Sequence, residues 1–179
     1  MSQKIALLRG INVGGHRIIK MADLKKLMTD LGFTSVTTYI QSGNILFETA
    51  DQTSEALSNQ IKQGIADRFG FEVRVLVLNR QELEEAANQN PYLNTETDLS
   101  GLHLILLSEI PKAEKVAEVL AFDCTPDAFT IKDRFIYLNL DTQYHKTKLS
   151  NAFFEKKLGV EATTRNWKTV LKLIELSKS

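Results

Sequence analysis

Apolar positions along the chain come in short bursts separated by polar and glycine-rich stretches. Residues 5–8, Ile-Ala-Leu-Leu, form an unbroken apolar run and predict a buried strand. A loop rich in glycine follows over residues 9–20. Between residues 21 and 31, Leu24, Leu27, Met28 and Leu31 recur at helical spacing, and Gly32 supplies a stop. Val36-Thr37-Thr38-Tyr39-Ile40 and Ile45-Leu46-Phe47 are β-branched or aromatic and flank Gln41-Ser42-Gly43-Asn44, the chemistry of a hairpin turn. Ala56, Leu57, Ile61, Ile65 and Phe69 mark a second helix behind the candidate caps Thr53 and Ser54, and residues 73–78 read as a further strand after Gly70.

A short surface helix is predicted over residues 81–88, stopped by Asn90-Pro91, with a polar, turn-rich stretch over 92–100. The pattern then restarts. Strand 102–107, a helix at about 112–121, strands 128–131 and 135–140 around a turn at Asp133, a helix at about 148–157 and a weak strand at 159–164 lead to a final helix at about 166–176. The repeated order predicts an α+β fold of two βαββαβ ferredoxin-like halves in tandem with antiparallel sheets, plus a C-terminal helix. The first half is placed at residues 1–79, a connecting helix and linker at 80–100, and the second half at 101–179. In each half two helices are expected to cover one sheet face and leave the other available.

Composition narrows the function classes. Of 179 residues, 43% are hydrophobic and 25% charged, an ordinary globular balance. Lys plus Arg and Asp plus Glu both number 22, so no global field draws nucleic acid or anionic membrane, and any anion binding must be local. Cys124 stands alone, which excludes an intrachain disulfide and a multi-cysteine metal site and suits a reducing compartment. No apolar run reaches the length of a signal segment or membrane span, so a cytoplasmic protein with no membrane partner is expected. His16, His103 and His145 lack metal-ligand spacing, and neither a metal nor a cofactor is predicted.

The 9–20 loop draws attention first. Arg9, Gly10, Asn12, Gly14, Gly15, His16, Arg17 and Lys20 directly follow a strand, where backbone amides can form an anion-binding nest. Gly10 and Gly15 match the glycine spacing of a P-loop, but His16-Arg17 stands where Lys and Ser/Thr belong, which excludes an NTPase. Asn12 occupies the second glycine position of a dinucleotide fingerprint, which excludes that too. The plainer alternative is that the glycines permit positive φ and Arg9 ties a carboxylate or carbonyl.

A second cluster, Arg165, Asn166, Trp167 and Lys168, sits at a predicted helix start, where free amides favour an anion. There Arg165 offers a fork and Trp167 a flat stacking surface. Equally, Asn166 or Thr164 could cap the helix while Trp167 fills the core. Phe135 and Tyr137 alternate onto one face of a strand, as base-stacking aromatics do in RNA-recognition sheets. Ser42-Gly43-Asn44 lacks the nucleophile-elbow pattern and reads as a turn.

Four segments, Leu7-Leu8-Arg9-Gly10-Ile11-Asn12-Val13-Gly14-Gly15, Met21-Ala22-Asp23-Leu24, Thr38-Tyr39-Ile40-Gln41-Ser42-Gly43-Asn44 and Thr164-Arg165-Asn166-Trp167-Lys168-Thr169-Val170, together resemble the bacterial domain-of-unknown-function 1697 family. The resemblance spans nearly the whole chain. It implies a bacterial cytosolic protein with a duplicated ferredoxin-like α+β fold and no assigned reaction, and it brings no catalytic residues to carry over.

The leading expectation from the residues is a groove that binds a small anionic ligand, a nucleotide or phosphorylated metabolite. It would be lined by Arg9, Asn12, Gly14, Gly15, Arg17, Lys20, Ser42, Asn44, Arg165, Asn166, Trp167 and Lys168. Asp23, His16 and Lys20 are nearby titratable groups without diagnostic spacing, so no catalytic residue is assigned. The competing expectations are a single-stranded nucleic-acid module on the sheet face and a protein-interaction or structural module without ligand.

Overall fold

The computed structural model describes residues 1–94 and 98–178. Part of the predicted 92–100 linker, residues 95–97, lies outside the described residues. The chain divides into two units, Met1–Glu84 with Leu173–Ser179, and Glu85–Lys172.

The first unit runs β1 (Ser2–Arg9), α1 (Met21–Asp30), β2 (Thr34–Tyr39), β3 (Asn44–Thr49), α2 (Ser54–Phe69) and β4 (Arg74–Leu78). Its sheet has the order β2-β3-β1-β4, antiparallel at every pairing, which is the ferredoxin-like arrangement. Ala6, Leu8, Ile45, Phe47, Val75 and Val77 form the sheet face that meets Leu24, Leu27 and Met28 of α1 and Leu57, Ile61 and Ile65 of α2. Burying each of these side chains larger than alanine contributes about 1.5–3 kcal/mol. The Thr53 hydroxyl accepts the Ala56 N–H at the start of α2, and Gly70 ends it at φ 76.

Next comes α3 (Arg80–Asn88), which begins with a reciprocal capping box: the Asn79 N–H donates to Glu82 Oε2 at 2.8 Å, and the Glu82 N–H to Asn79 Oδ1 at 2.9 Å. Predicted as a short surface helix, it exposes Arg80, Gln81, Glu85 and Asn88 and buries Leu83, Ala86 and Ala87, a face that three apolar positions at helical spacing demand.

The second unit continues with β5 (Leu102–Leu107), α4 (Ala113–Leu120), β6 (Ala128–Lys132), β7 (Phe135–Asn139), α5 (Asn151–Leu158) and β8 (Ala162–Asn166), and α6 (Trp167–Leu176) follows. The order β6-β7-β5-β8 repeats the antiparallel topology of the first sheet. Ile105, Leu107, Ile136 and Leu138 pack with Val119, Phe154 and Leu158. The α5 helix starts three residues later than the predicted 148, because Leu149 is drawn into the core and the Ser150 hydroxyl caps the helix by accepting the Phe153 N–H.

The expectation of an available second sheet face does not hold for either unit. Ile5, Leu7, Leu46 and Leu78 in the first sheet, and Leu102, Leu104, Leu106 and Tyr137 in the second, point away from the α1–α2 and α4–α5 layers and are nonetheless buried. The Tyr137 hydroxyl donates to the Ala86 carbonyl at 2.8 Å, and burial pushes its pKa up to about 12. Among the described residues no helix is long and apolar enough to cross a membrane.

A carboxylate organises the connection from β7 to α5. Asp127 accepts the Asp141 and Thr142 N–H groups at 3.0 Å and the Thr147 hydroxyl at 2.6 Å, and it also takes the Thr142 hydroxyl. Burial opposes the charge, but the hydrogen bonds from Thr142 and Thr147 outweigh it and hold the carboxyl below its usual range. A carboxyl depressed in this way stabilises the fold above about pH 4, where the unfolded group is also ionised, and loses that contribution as pH falls through its folded value. Asp127→Asn is therefore expected to lower the urea midpoint at neutral pH, with the gap from wild type narrowing on acidification. A gap that stays constant or widens contradicts this role.

Candidate functional site

Of the sequence-predicted site residues, those before residue 80 lie in the first unit and Arg165, Asn166, Trp167 and Lys168 in the second, and each group is described by itself.

The loop after β1 is a small hairpin. The Asn12 N–H donates to the Arg17 carbonyl at 3.2 Å, the His16 N–H to the Val13 carbonyl at 3.0 Å, and Val13 and His16 form an antiparallel bridge. Gly14 at φ 59 and Gly15 at φ 76 are the two central residues, the left-handed pair that the tightest hairpin turn requires. Both glycines are exposed, and among the described residues neither N–H has a partner within the loop.

Asn12 fixes this finger. Its Nδ2 donates to the Ile19 carbonyl at 3.0 Å and to the Gln41 carbonyl at 2.8 Å, while its Oδ1 accepts the Ile19 N–H at 2.9 Å. Both amide hydrogens are thereby used inside the protein, so Asn12 joins the loop to the β2–β3 turn rather than orienting a ligand. Asn44 acts similarly across that turn: its buried Nδ2 donates to the Tyr39 carbonyl at 2.9 Å and to Ser42 Oγ at 3.0 Å. Gly43, at φ 80, joins this junction through its carbonyl oxygen, which accepts the Leu8 N–H at 2.8 Å. A Cβ on Gly43 would stand 2.7 Å from Leu8 Cβ and 2.8 Å from Ile11 Cδ1, closer than packing permits, so only glycine fits between β1 and the turn.

Register brings together charges that the sequence keeps apart. Arg9 ends β1 directly opposite Arg74 of β4, and both project to the same sheet face as Leu7. The Arg17 guanidinium folds back until Nη1 lies 3.3 Å from where a Gly10 Cβ would stand. Arg9 and Arg74 thus share one sheet face at the end of β1, Arg17 lies over Gly10 at the foot of the finger, and residues 9–20 contain no carboxylate. Sequence reasoning missed Arg74, whose only signal was a charge at the edge of an apolar strand. Lys20 occupies the exposed N-cap position of α1 and makes no side-chain cap bond.

In the second unit the geometry favours structural roles. Arg165 and Asn166, predicted at a helix start, are the last residues of β8. Asn166 Oδ1 accepts the Thr169 N–H at 2.8 Å and caps α6. Arg165 Nη1 donates to the Thr164 carbonyl at 2.9 Å, and burial pulls the guanidinium pKa down to about 10. Trp167 is 1% exposed, a core side chain with no ring face open to solvent, whereas Lys168 is exposed. The aromatic pair offers no stacking surface either, since Phe135 and Tyr137 are both buried. Half-buried His103 stacks on Tyr144 with ring centres 4.9 Å apart, and burial holds its pKa below the usual histidine value.

The staple can be tested without disturbing backbone strain, because glycine tolerates the φ of 55 at residue 12. Asn12→Gly removes its side-chain bonds and is expected to cost about 2 kcal/mol by urea denaturation, while Val13→Ala stays within about 0.5 kcal/mol. Equal effects of the two substitutions contradict the assignment.

Comparison with known proteins adds a family and a fold. No curated protein matches the chain. A solved structure, that of the conserved bacterial protein SP0830 from Streptococcus pneumoniae, is similar with a TM-score of 0.75 and 24% identity, covering 98% of each chain. At that identity the likeness speaks for the fold. The family model described as Protein of unknown function (DUF1697) matches residues 1–137, which include the hairpin finger, the Asn12 staple and the β2–β3 turn, and the chain belongs to that family.

Proposed function

We propose that the protein binds an anionic ligand at the arginine cluster of its first unit, with Arg9, Arg17 and Arg74 as the principal contacts and the Gly14 and Gly15 amides and Lys20 at its border. The observation that carries this reading is the β1–β4 register, which sets Arg9 opposite Arg74 while Arg17 folds over Gly10. A multivalent anion seated beside these guanidinium groups would accept charge-assisted hydrogen bonds from them. Planar guanidinium forks match phosphate oxygens two at a time, which favours a phosphorylated compound over a simple halide. A cytoplasmic setting fits both the lone thiol of Cys124 and such a ligand.

In this reading Asn12, Ser42 and Asn44 hold the site's shape from behind. Arg165, Asn166 and Trp167 belong to the folding of the second unit. The sheet-face nucleic-acid reading loses support because Phe135 and Tyr137, the ring pair it rested on, are both buried.

Thermal denaturation against inorganic phosphate, pyrophosphate and nucleoside triphosphates tests the proposal, because a ligand that binds only the folded form raises its melting temperature. Pyrophosphate or a nucleotide is expected to raise it by several degrees, at about 2–4 °C per kcal/mol of binding-linked stabilisation. The rise should shrink in Arg17→Ala, whose exposed side chain leaves the core untouched. A flat response across the panel, or an unchanged rise in Arg17→Ala, contradicts it.

A further inference from the structure

The exposed aliphatic side chains of the first unit are not scattered. Val13 is 67% exposed, Ile18 56% and Ile40 47%, and each adjoins a residue of the Asn12 staple: Val13 follows Asn12, Ile18 precedes Ile19, and Ile40 precedes Gln41. One asparagine side chain therefore ties together the backbone segments that carry all three. Exposed aliphatic side chains grouped on a folded protein offer a surface that another body can cover.

Backbone conformation points to the same place. Among the described residues five non-glycine residues have positive φ, and three of them, Asn12 at 55, Arg17 at 50 and Ile40 at 49, belong to this finger and turn. For β-branched Ile40 that conformation costs about 1–2 kcal/mol, and the strain is spent on holding an aliphatic side chain out in water. Nothing in core packing explains an isoleucine there, since asparagine or glycine would take the same φ without strain.

We infer that this face docks a protein partner whose surface alternates carboxylates with aliphatic side chains. The finger carries two exposed glycines at its two-residue turn, a form that suits contact with a larger body. His16, Arg17 and Lys20 flank the patch and residues 9–20 carry no acid, so the complementary surface is acidic. A lipid bilayer fits less well, because the Gly14 and Gly15 N–H groups at the tip lack acceptors within the loop and hydrocarbon offers none. Carboxylates of a protein supply those acceptors. Nucleic acid would use aromatic rather than aliphatic contacts at such a surface. The inference goes beyond anion binding at the arginine cluster: Arg17, Lys20 and the Gly14 and Gly15 amides are shared with that reading, but Val13, Ile18 and Ile40 are not, and a variant that changes only these three lets either fail alone.

The test is selection of a random peptide library on the immobilised full chain, with counter-selection on Val13→Ser/Ile18→Ser/Ile40→Asn, which keeps Arg9, Arg17 and Arg74. Ile40→Asn should keep or raise stability, which guards against misfolding as an explanation. Enriched peptides are expected to mix Asp or Glu with Leu, Ile or Val, to bind the triple variant at least about tenfold more weakly, and to weaken with salt. A consensus without carboxylates, equal binding to the variant, or tighter binding of the wild type to phosphatidylglycerol vesicles or to oligodeoxythymidine than to any selected peptide overturns the inference.

Discussion

The side-chain amide of Asn12 is the constraint on which the architecture of the candidate site depends. It spans from the loop after β1 to the carbonyl of Gln41 in the β2–β3 turn, and it closes the base of the finger through both the N–H and the carbonyl of Ile19. Only a planar group with two donors and one acceptor can make this set of bonds. Asparagine also tolerates the left-handed backbone the position imposes, which few other residues do. Everything that faces outward from this region, whether arginine, glycine amide or isoleucine, is held by that inward-facing group.

Two segments far apart in the chain are coupled by it into one structural unit. The Leu8 N–H reaches the Gly43 carbonyl, Gly43 has no room for a side chain against Leu8 and Ile11, and buried Asn44 braces the turn through Tyr39 and Ser42. Of the candidate ligand contacts read from the sequence, Asn12, Ser42 and Asn44 make bonds that belong to this frame. The groups proposed to meet a ligand or partner are ones the frame projects: Arg9, Arg17 and Arg74 near the foot of the finger, and Val13, Ile18 and Ile40 around the staple.

The local signals in the sequence translated directly into structure. Thr53 and Gly70 bound α2, and Ser150 and Gly159 bound α5, because caps are decided within a few residues. Long-range consequences were less legible. The partner of Asn12 lies 29 residues away and that of Asp127 up to 20, and no periodicity announces such bonds. Arg74 joins Arg9 only once strand register is known. Trp167 left core filling and ligand stacking both open, and its burial selects the former. One signal was available and under-read: the unbroken apolar runs at residues 5–8 and 104–107 lack the alternation of a half-exposed strand, and β1 and β5, which carry them, are indeed buried on each face there.

The central claim is that a single side chain holds the finger against the turn, and amide hydrogen exchange reads that bond at its own atom. The Ile19 N–H, which donates to Asn12 Oδ1, should exchange slowly in the wild-type protein and lose most of its protection in Asn12→Gly, while the amides of α2 keep theirs. An Ile19 amide that exchanges freely in the wild type, or one equally protected in the variant, would show that the finger is held by something other than Asn12.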